Sequence, residues 1–153
     1  MALPPKKLLI LYGTETGNAE DLAEQTFQKA KDAGVDVRME NVFNFPAENL
    51  KDEERVAIII STWGEGDPPD EATDFCDALN DDEVTDLDNL EFCVLALGDS
   101  GYDDFCGCGR KVDESLERNG AKRILDRIDC DVDFEEPFEE WQKKFFDQLG
   151  IEA

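Results

Sequence analysis

The residues of this sequence able to do chemistry gather in three short segments, each directly behind an apolar run: Gly13-Thr14-Glu15-Thr16-Gly17-Asn18, Ser61-Thr62-Trp63-Gly64-Glu65-Gly66-Asp67 and Gly98-Asp99-Ser100-Gly101-Tyr102-Asp103. The first offers the hydroxyls of Thr14 and Thr16, the Asn18 amide and backbone N–H groups, just ahead of a helical pattern that begins near Ala19. N–H groups at such a turn face an anion on the positive end of the helix dipole. The segment holds no Lys or Arg, and it matches neither GxxxxGK[ST] nor GxGxxG. Neutral donors can hold a monophosphate ester, whereas a triphosphate usually recruits a lysine and magnesium, so ATP, GTP and dinucleotides are disfavoured. Taken alone, the same residues would also serve as an ordinary helix N-cap.

The other two segments each present one aromatic ring among glycines, Trp63 and Tyr102. An amphipathic ring at a strand end is a plate for a planar aromatic ligand, and offset stacking adds about 0.5–1.5 kcal/mol per ring beyond burial. A phosphate seat with two rings at matched positions suits flavin mononucleotide, FMN, with nanomolar affinity at roughly 12 kcal/mol within reach. Gly64 has no Cβ, so its peptide can flip and offer a carbonyl to the flavin N5 proton, which favours a neutral semiquinone. Glu65, Asp67, Asp99, Asp103, Asp104, Asp129 and Asp131 are expected to crowd the flavin edge with negative charge, disfavour an anionic hydroquinone and steer a basic partner to that face.

Positioning these segments requires a parallel sheet. Short apolar strands alternate with helical patterns, the signature of an α/β domain with helices on both faces. Residues 7–12, 35–42, 56–62, 92–97 and 123–128 read as five strands, the second alternating Val35, Val37 and Met39 with Asp36, Arg38 and Glu40 as an edge strand does. Helical spacing links Ala19, Leu22, Ala23, Thr26 and Ala30 ahead of Gly34, then Ala72, Phe75, Cys76 and Leu79, then Val112 and Leu116 ahead of Gly120, and finally Phe138, Trp141, Phe145 and Leu149. Residues 42–55 are too mixed to assign. In a 2-1-3-4-5 strand order, the loops behind strands one, three and four converge on one crevice outside the carboxyl ends, where such sheets bind ligands.

At 153 residues, 41% apolar, the chain reads as a single domain over 1–153 with a flexible N-terminus at 1–6. Residues 1–7 lack the pattern of a secretory signal, no stretch is long enough to span a membrane, and the five cysteines show no paired extracellular spacing, so a cytoplasmic protein with reduced thiols is expected. The formal charge of −24, from 39 acidic and 15 basic residues, repels nucleic acid and anionic membranes and favours basic-faced partners. It also fits a role in solubility or salt adaptation. With no histidine and no second close cysteine pair beside Cys106-Gly107-Cys108, neither a structural metal site nor a hydrolase constellation is expected.

Loop for loop, residues 7–149 resemble the flavodoxin superfamily, above all the FMN domains of sulfite reductase and cytochrome P450 reductase and the short MioC-type flavodoxins. Gly66-Asp67-Pro68-Pro69 followed by an acidic residue is among the more specific matches to the diflavin reductases. The resemblance implies a three-layer flavodoxin-like sandwich, with the five-stranded parallel sheet in 2-1-3-4-5 order and no long insertion in the fifth strand. It implies a cofactor site at Thr14, Glu15, Thr16, Gly17, Asn18 and Ala19 for the phosphate, with Glu15 acting through its backbone. Ser61, Thr62, Trp63, Gly64, Glu65 and Gly66 would make the second loop, and Leu97, Gly98, Asp99, Tyr102, Phe105 and Cys106 the third. Tyr102 would lie coplanar with the flavin on its outer face and Trp63 on the inner one, where diflavin reductases more often carry Tyr, Phe or Gln. The implied function is a monomeric one-electron carrier between a basic-faced reductase of the flavodoxin/ferredoxin NADP reductase type and an acceptor enzyme. An FMN-dependent regulatory or maturation partner, such as those assisting ribonucleotide reductase, and a separated sulfite-reductase-type FMN module are the alternatives. A receiver-type signalling module shares the strand order but needs acidic residues behind the first strand and an aspartate ending the third, where this chain has Tyr12-Gly13 and Ser61-Thr62.

Overall fold

Strands buried on both faces carry no polar side for solvent and belong inside a helix-covered parallel sheet. The computed structural model describes residues 5–14, 16–63, 66–81 and 83–151. In it the apolar runs become β1 (Leu8–Gly13), β2 (Val37–Asn41), β3 (Arg55–Ser61), β4 (Glu91–Leu97), β5 (Lys122–Arg123) and β6 (Ile128–Cys130). All pairings among these strands are parallel, in the order β2-β1-β3-β4-β5, with β6 also on β4. Side chains alternate across the sheet. Leu9, Leu11, Val56, Ile58, Ile60, Phe92 and Val94 meet α2 (Thr73–Asn80) and α3 (Gly107–Arg118) on one face. Leu8, Ile10, Ala57, Ile59, Cys93 and Leu95 meet α1 (Asn18–Asp32) and α4 (Glu135–Leu149) on the other, where Phe138, Trp141, Phe145 and Phe146 fill the space.

Two elements differ from their sequence reading. The fifth strand is not continuous over 123–128. β5 pairs Arg123 with Phe92, β6 pairs Ile128 with Leu95, and between these pairs the outer strand carries four residues against two on β4. The extra pair bulges out, and Arg127 from the bulge bonds Asp113 of α3 (3.2 Å) and Asp129 (2.7 Å). The second strand is shorter than 35–42 because Val42 turns inward to be buried, and the chain continues as 3-10 turns, Val42–Asn44 and Ala47–Asp52. Asn41 caps the first of these by accepting the Phe43 N–H at 2.9 Å.

The amino edge of the sheet closes on an ion pair. Arg55, 2% exposed, donates through Nε to Glu91 Oε1 at 2.9 Å and approaches the same oxygen through Nη2 at 2.7 Å, while Lys6 Nζ lies 3.3 Å from Oε2. Burial pushes the Glu91 carboxyl up, but the Arg55 hydrogen bond and charge, aided by Lys6, outweigh it and hold the group below its ordinary value.

Candidate functional site

At the carboxyl edge the same strands end in loops. Gly17 is the N-cap of α1 with φ +95°, a left-handed conformation that glycine adopts without strain. Its N–H donates to Thr14 Oγ1 at 2.8 Å, and the first intrahelical bond runs from the Asp21 N–H to the Gly17 carbonyl at 3.0 Å. The N–H groups of Asn18, Ala19 and Glu20 therefore have no acceptor within the helix, as at any helix start. The Thr14 N–H donates to Glu71 Oε1 at 3.1 Å, which ties this loop to the stretch behind the second one.

Parallel pairing of β3 with β4 extends one step into the second loop, where the Thr62 N–H donates to the Leu97 carbonyl at 2.8 Å. Trp63 then pairs with Asp67 through reciprocal backbone bonds of 2.6 and 3.0 Å, so the loop is pinched at its root and Trp63 is held 53% exposed. Thr62 Oγ1 accepts the Cys108 N–H at 3.0 Å, anchoring the loop to the start of α3.

The third loop folds on itself. Asp99 accepts the Gly101 N–H at 2.8 Å, and its carbonyl accepts the Tyr102 N–H at 3.1 Å, which leaves Tyr102 44% exposed. Beneath it Cys106 is fully buried, left-handed at φ +55°, with Sγ 3.6 Å from the carbonyls of Ala96 and Cys130. A Cβ at Gly98 would come within 2.9 Å of Cys106 Sγ and 3.0 Å of its backbone nitrogen, so that close approach requires glycine. Burial, with Asp129 nearby, pushes the Cys106 thiol up to about 12, and burial does the same to Cys130, so both side chains are packed as neutral thiols.

These loops enclose a cleft of about 400 Å³, within the usual range for small-molecule sites. Of the residues expected at the site, Thr16, Asn18, Ser61, Thr62, Trp63, Leu97, Gly98, Asp99 and Tyr102 line it. Thr14 and Gly17 shape the first loop from behind, Ala19 is buried in the helix, Cys106 lies under the third loop, and Gly66 turns the second at φ +89°. Phe105 precedes Cys106 and is not part of the lining. Glu15, Gly64 and Glu65 fall outside the described residues, and with them the expectation about a flipping peptide.

The connection of β6 to α4 adds a fourth wall: Asp131, expected at the flavin edge, and Val132 and Phe134, which went unread in the sequence. Asp131 is fixed there by the Ser100 hydroxyl, by the Ser100 N–H at 3.0 Å and by the Val132 N–H at 2.8 Å, and these bonds hold its carboxyl below the ordinary aspartate value. Two of the carboxylates expected to charge the edge are instead paired. Asp104 meets Arg110 at 2.6 Å and Lys111 at 3.9 Å, and Asp129 meets Arg127 at 2.7 Å. Spacings of six, seven and two residues are not helical neighbours, so sequence pattern gave no hint of them.

The chemistry of this cleft fits FMN: hydroxyls and helix-start N–H groups at one end, with no cation among the described lining residues, and two half-exposed rings at the other. Fold and site together define an α/β flavin-binding protein of the open-sheet type. The flavodoxin family profile matches residues 10–141, and the chain belongs to that family. FMN is its cofactor, and it is an electron carrier. The chain is 43% identical over 136 residues, 89% of its length, to the sulfite reductase [NADPH] flavoprotein alpha-component of Bacillus subtilis, of which it covers 22%. Against the Neisseria meningitidis protein of that name it is 38% identical over 99% of its length, covering 25%. It thus spans about a quarter of these curated relatives. Among solved structures, a Streptococcus pneumoniae flavodoxin superposes with a TM-score of 0.81 at 27% identity, covering 94% of this chain and 97% of that one. A cysteine-to-serine mutant of the flavodoxin from Pseudomonas aeruginosa gives 0.78 at 28% identity, over 94% and 99%.

Proposed function

We propose that this chain is a one-electron shuttle, reduced by an NADPH-dependent, FAD-containing reductase with a basic contact face and oxidised by a separate acceptor enzyme. The observation that carries this reading is the pair of exposed rings, Trp63 and Tyr102, on opposite loops of one cleft whose described lining holds no histidine, cysteine or lysine. Bound FMN would supply reversible one- and two-electron chemistry there, and the protein would supply binding, orientation and electrostatics. The α1 start would orient the phosphate through the Asn18 and Ala19 N–H groups and the Thr16 hydroxyl, without neutralising it by a cation. Trp63 and Tyr102 would sandwich the ring system. The carboxyl groups of Asp99 and Asp131 beside it would oppose build-up of negative charge.

A second reading has its own support. The 43% identity to a sulfite reductase flavoprotein favours an FMN module that works with a sulfite-reductase-type system, receiving electrons from a partner in place of a linked domain. Both readings expect a cytoplasmic monomer, in keeping with five free, buried cysteines. Among the described residues, no helix is long and apolar enough to cross a membrane. The test is titration with FMN and riboflavin by flavin fluorescence quenching, followed by NADPH reduction through a flavodoxin reductase and reoxidation by a sulfite reductase hemoprotein. Tight binding of FMN with weak binding of riboflavin and turnover through the reductase are expected. Equal affinity for the two flavins would remove the phosphate assignment, and reoxidation by the hemoprotein would select the second reading.

A further inference from the structure

Among the described residues, the large apolar side chains most exposed to solvent are Phe43 (71%), Val132 (64%), Trp63 (53%) and Tyr102 (44%). All four sit behind the carboxyl ends of strands, namely β2, β6, β3 and β4. Trp63, Tyr102 and Val132 line the cleft, and the cofactor accounts for them. Phe43 does not line it. A lone exposed apolar residue needs no explanation by itself, but Phe43 differs in how it is held and in what surrounds it.

Val42 (2%) just before it and Phe45 (4%) two residues after it are both buried, and its N–H is fixed on Asn41 Oδ1 at 2.9 Å. The ring therefore stands on a turn pinned on both sides, so ordering it against a partner would cost little entropy. The turn also adjoins the first loop. A Cβ at Gly13 would lie 3.1 Å from both Val42 and Ala72, and Glu71, next to Ala72, accepts the Thr14 N–H. Residues 41–48 and 67–74, which converge here, carry Glu48, Asp67, Asp70, Glu71 and Asp74 and no Lys or Arg. On the opposite side of the cleft, Asp103 and Asp104 stand beside Arg110 and Lys111, and both cations reach Asp104. The negative field that would steer a basic protein is therefore stronger on the β2 side than over the third loop.

We propose that Phe43 is the apolar anchor of a docking surface on the β2 side of the cleft, built for a redox protein whose contact face carries a small apolar pocket rimmed by lysine or arginine. This deepens the electron-carrier reading and rests on it. A rigid aromatic anchor within a charged rim is the usual composition of an interface hot spot, and here it would leave the mouth of the cleft free to face the partner's redox group.

The test is stopped-flow reduction of the FMN-loaded full chain by an NADPH-reduced flavodoxin reductase. Phe43→Ala should lower the second-order rate constant at low salt by about tenfold, the loss of one modest hot spot, and leave FMN affinity unchanged. Phe43→Leu should recover most of that rate. Glu48→Gln with Asp74→Asn should flatten the salt dependence more than Asp103→Asn with Asp104→Asn. Wild-type rates in Phe43→Ala, or a larger effect of the third-loop pair, would overturn the docking surface while leaving the carrier reading intact. A wild-type chain that binds FMN but is not reduced would overturn both. Sedimentation that finds a dimer dissolved by Phe43→Ala would assign the ring to a second copy of this chain and overturn the partner assignment.

Discussion

The two edges of this sheet are made from the same strands and treat polar groups in opposite ways. At the amino edge, Arg55 and Glu91 begin neighbouring strands in register and bury their charges against each other, with Lys6 laid across. At the carboxyl edge, the same β3 and β4 end at Ser61 and Leu97, and the chain leaves its rings and hydroxyls around an open cleft. Chain direction accounts for the contrast. In a parallel sheet every connection from a strand to its following helix lies at the carboxyl edge, and those connections are free to vary without disturbing the ladder. Stability and function are thereby assigned to different ends of one element, and substitutions at the two edges should separate them.

The largest effect expected is at the amino edge. Arg55→Met should leave Lys6 as the cation beside the Glu91 carboxylate and cost about 3 kcal/mol in urea unfolding, the low end for breaking a buried pair by removing one partner. FMN affinity of the folded fraction should stay at the wild-type value. A matching loss of affinity would show that the edges are coupled and break the comparison.

At the carboxyl edge the pattern should reverse. Trp63→Ala and Tyr102→Ala should each weaken FMN binding by about 10- to 100-fold, from lost stacking and burial, with unfolding free energy in the absence of FMN within about 0.5 kcal/mol of wild type. Fluorescence titration and urea unfolding on the same samples measure both. A smaller effect is expected from Thr14→Val, which removes the acceptor for the Gly17 N–H. It should lower FMN affinity about fivefold, the worth of one hydrogen bond, and leave riboflavin binding unchanged, because the bond shapes only the phosphate turn.

The smallest effect is a pH dependence. The Glu91 carboxyl is held below its ordinary value of 4.5, so its contribution to stability is fully present above that pH and is lost as pH falls through the lower folded value. Glu91→Gln should lose this part of acid sensitivity, giving a shallower fall of unfolding free energy below pH 4.5 than wild type. An unchanged slope would mean that the pair holds geometry at the amino edge without linkage to protons.

Much of the site was legible because it is local. The turn of Thr14 to Asn18, the rings Trp63 and Tyr102, and the apolar runs before them depend on residues adjacent in the chain, and the strand order needed to gather them follows from parallel alternation. Residues 42–55 gave no periodic signal because 3-10 turns of a few residues bury one side chain at a time. The bulge that splits the fifth strand is invisible to periodicity as well, since Ile124, Leu125 and Ile128 are apolar on both sides of the break.

By itself, then, the sequence determined the α/β class, the parallel sheet, the three loops that meet at the cleft and the hydrogen-bonding groups they offer. These rest on backbone propensity, burial of apolar runs and hydrogen-bonding groups close in the chain. Tertiary structure alone decided the fourth wall of the cleft at Val132 and Phe134, the pairing of Asp104 with Arg110 and of Asp129 with Arg127, and which of Phe43 and Phe45 faces water. In the string Val42-Phe43-Asn44-Phe45 the two rings are equivalent, and only the Asn41 cap and the packing of Val42 beside Gly13 and Ala72 turn one inward and the other out. Such choices depend on what lies across a gap in space, and a linear pattern holds no record of that.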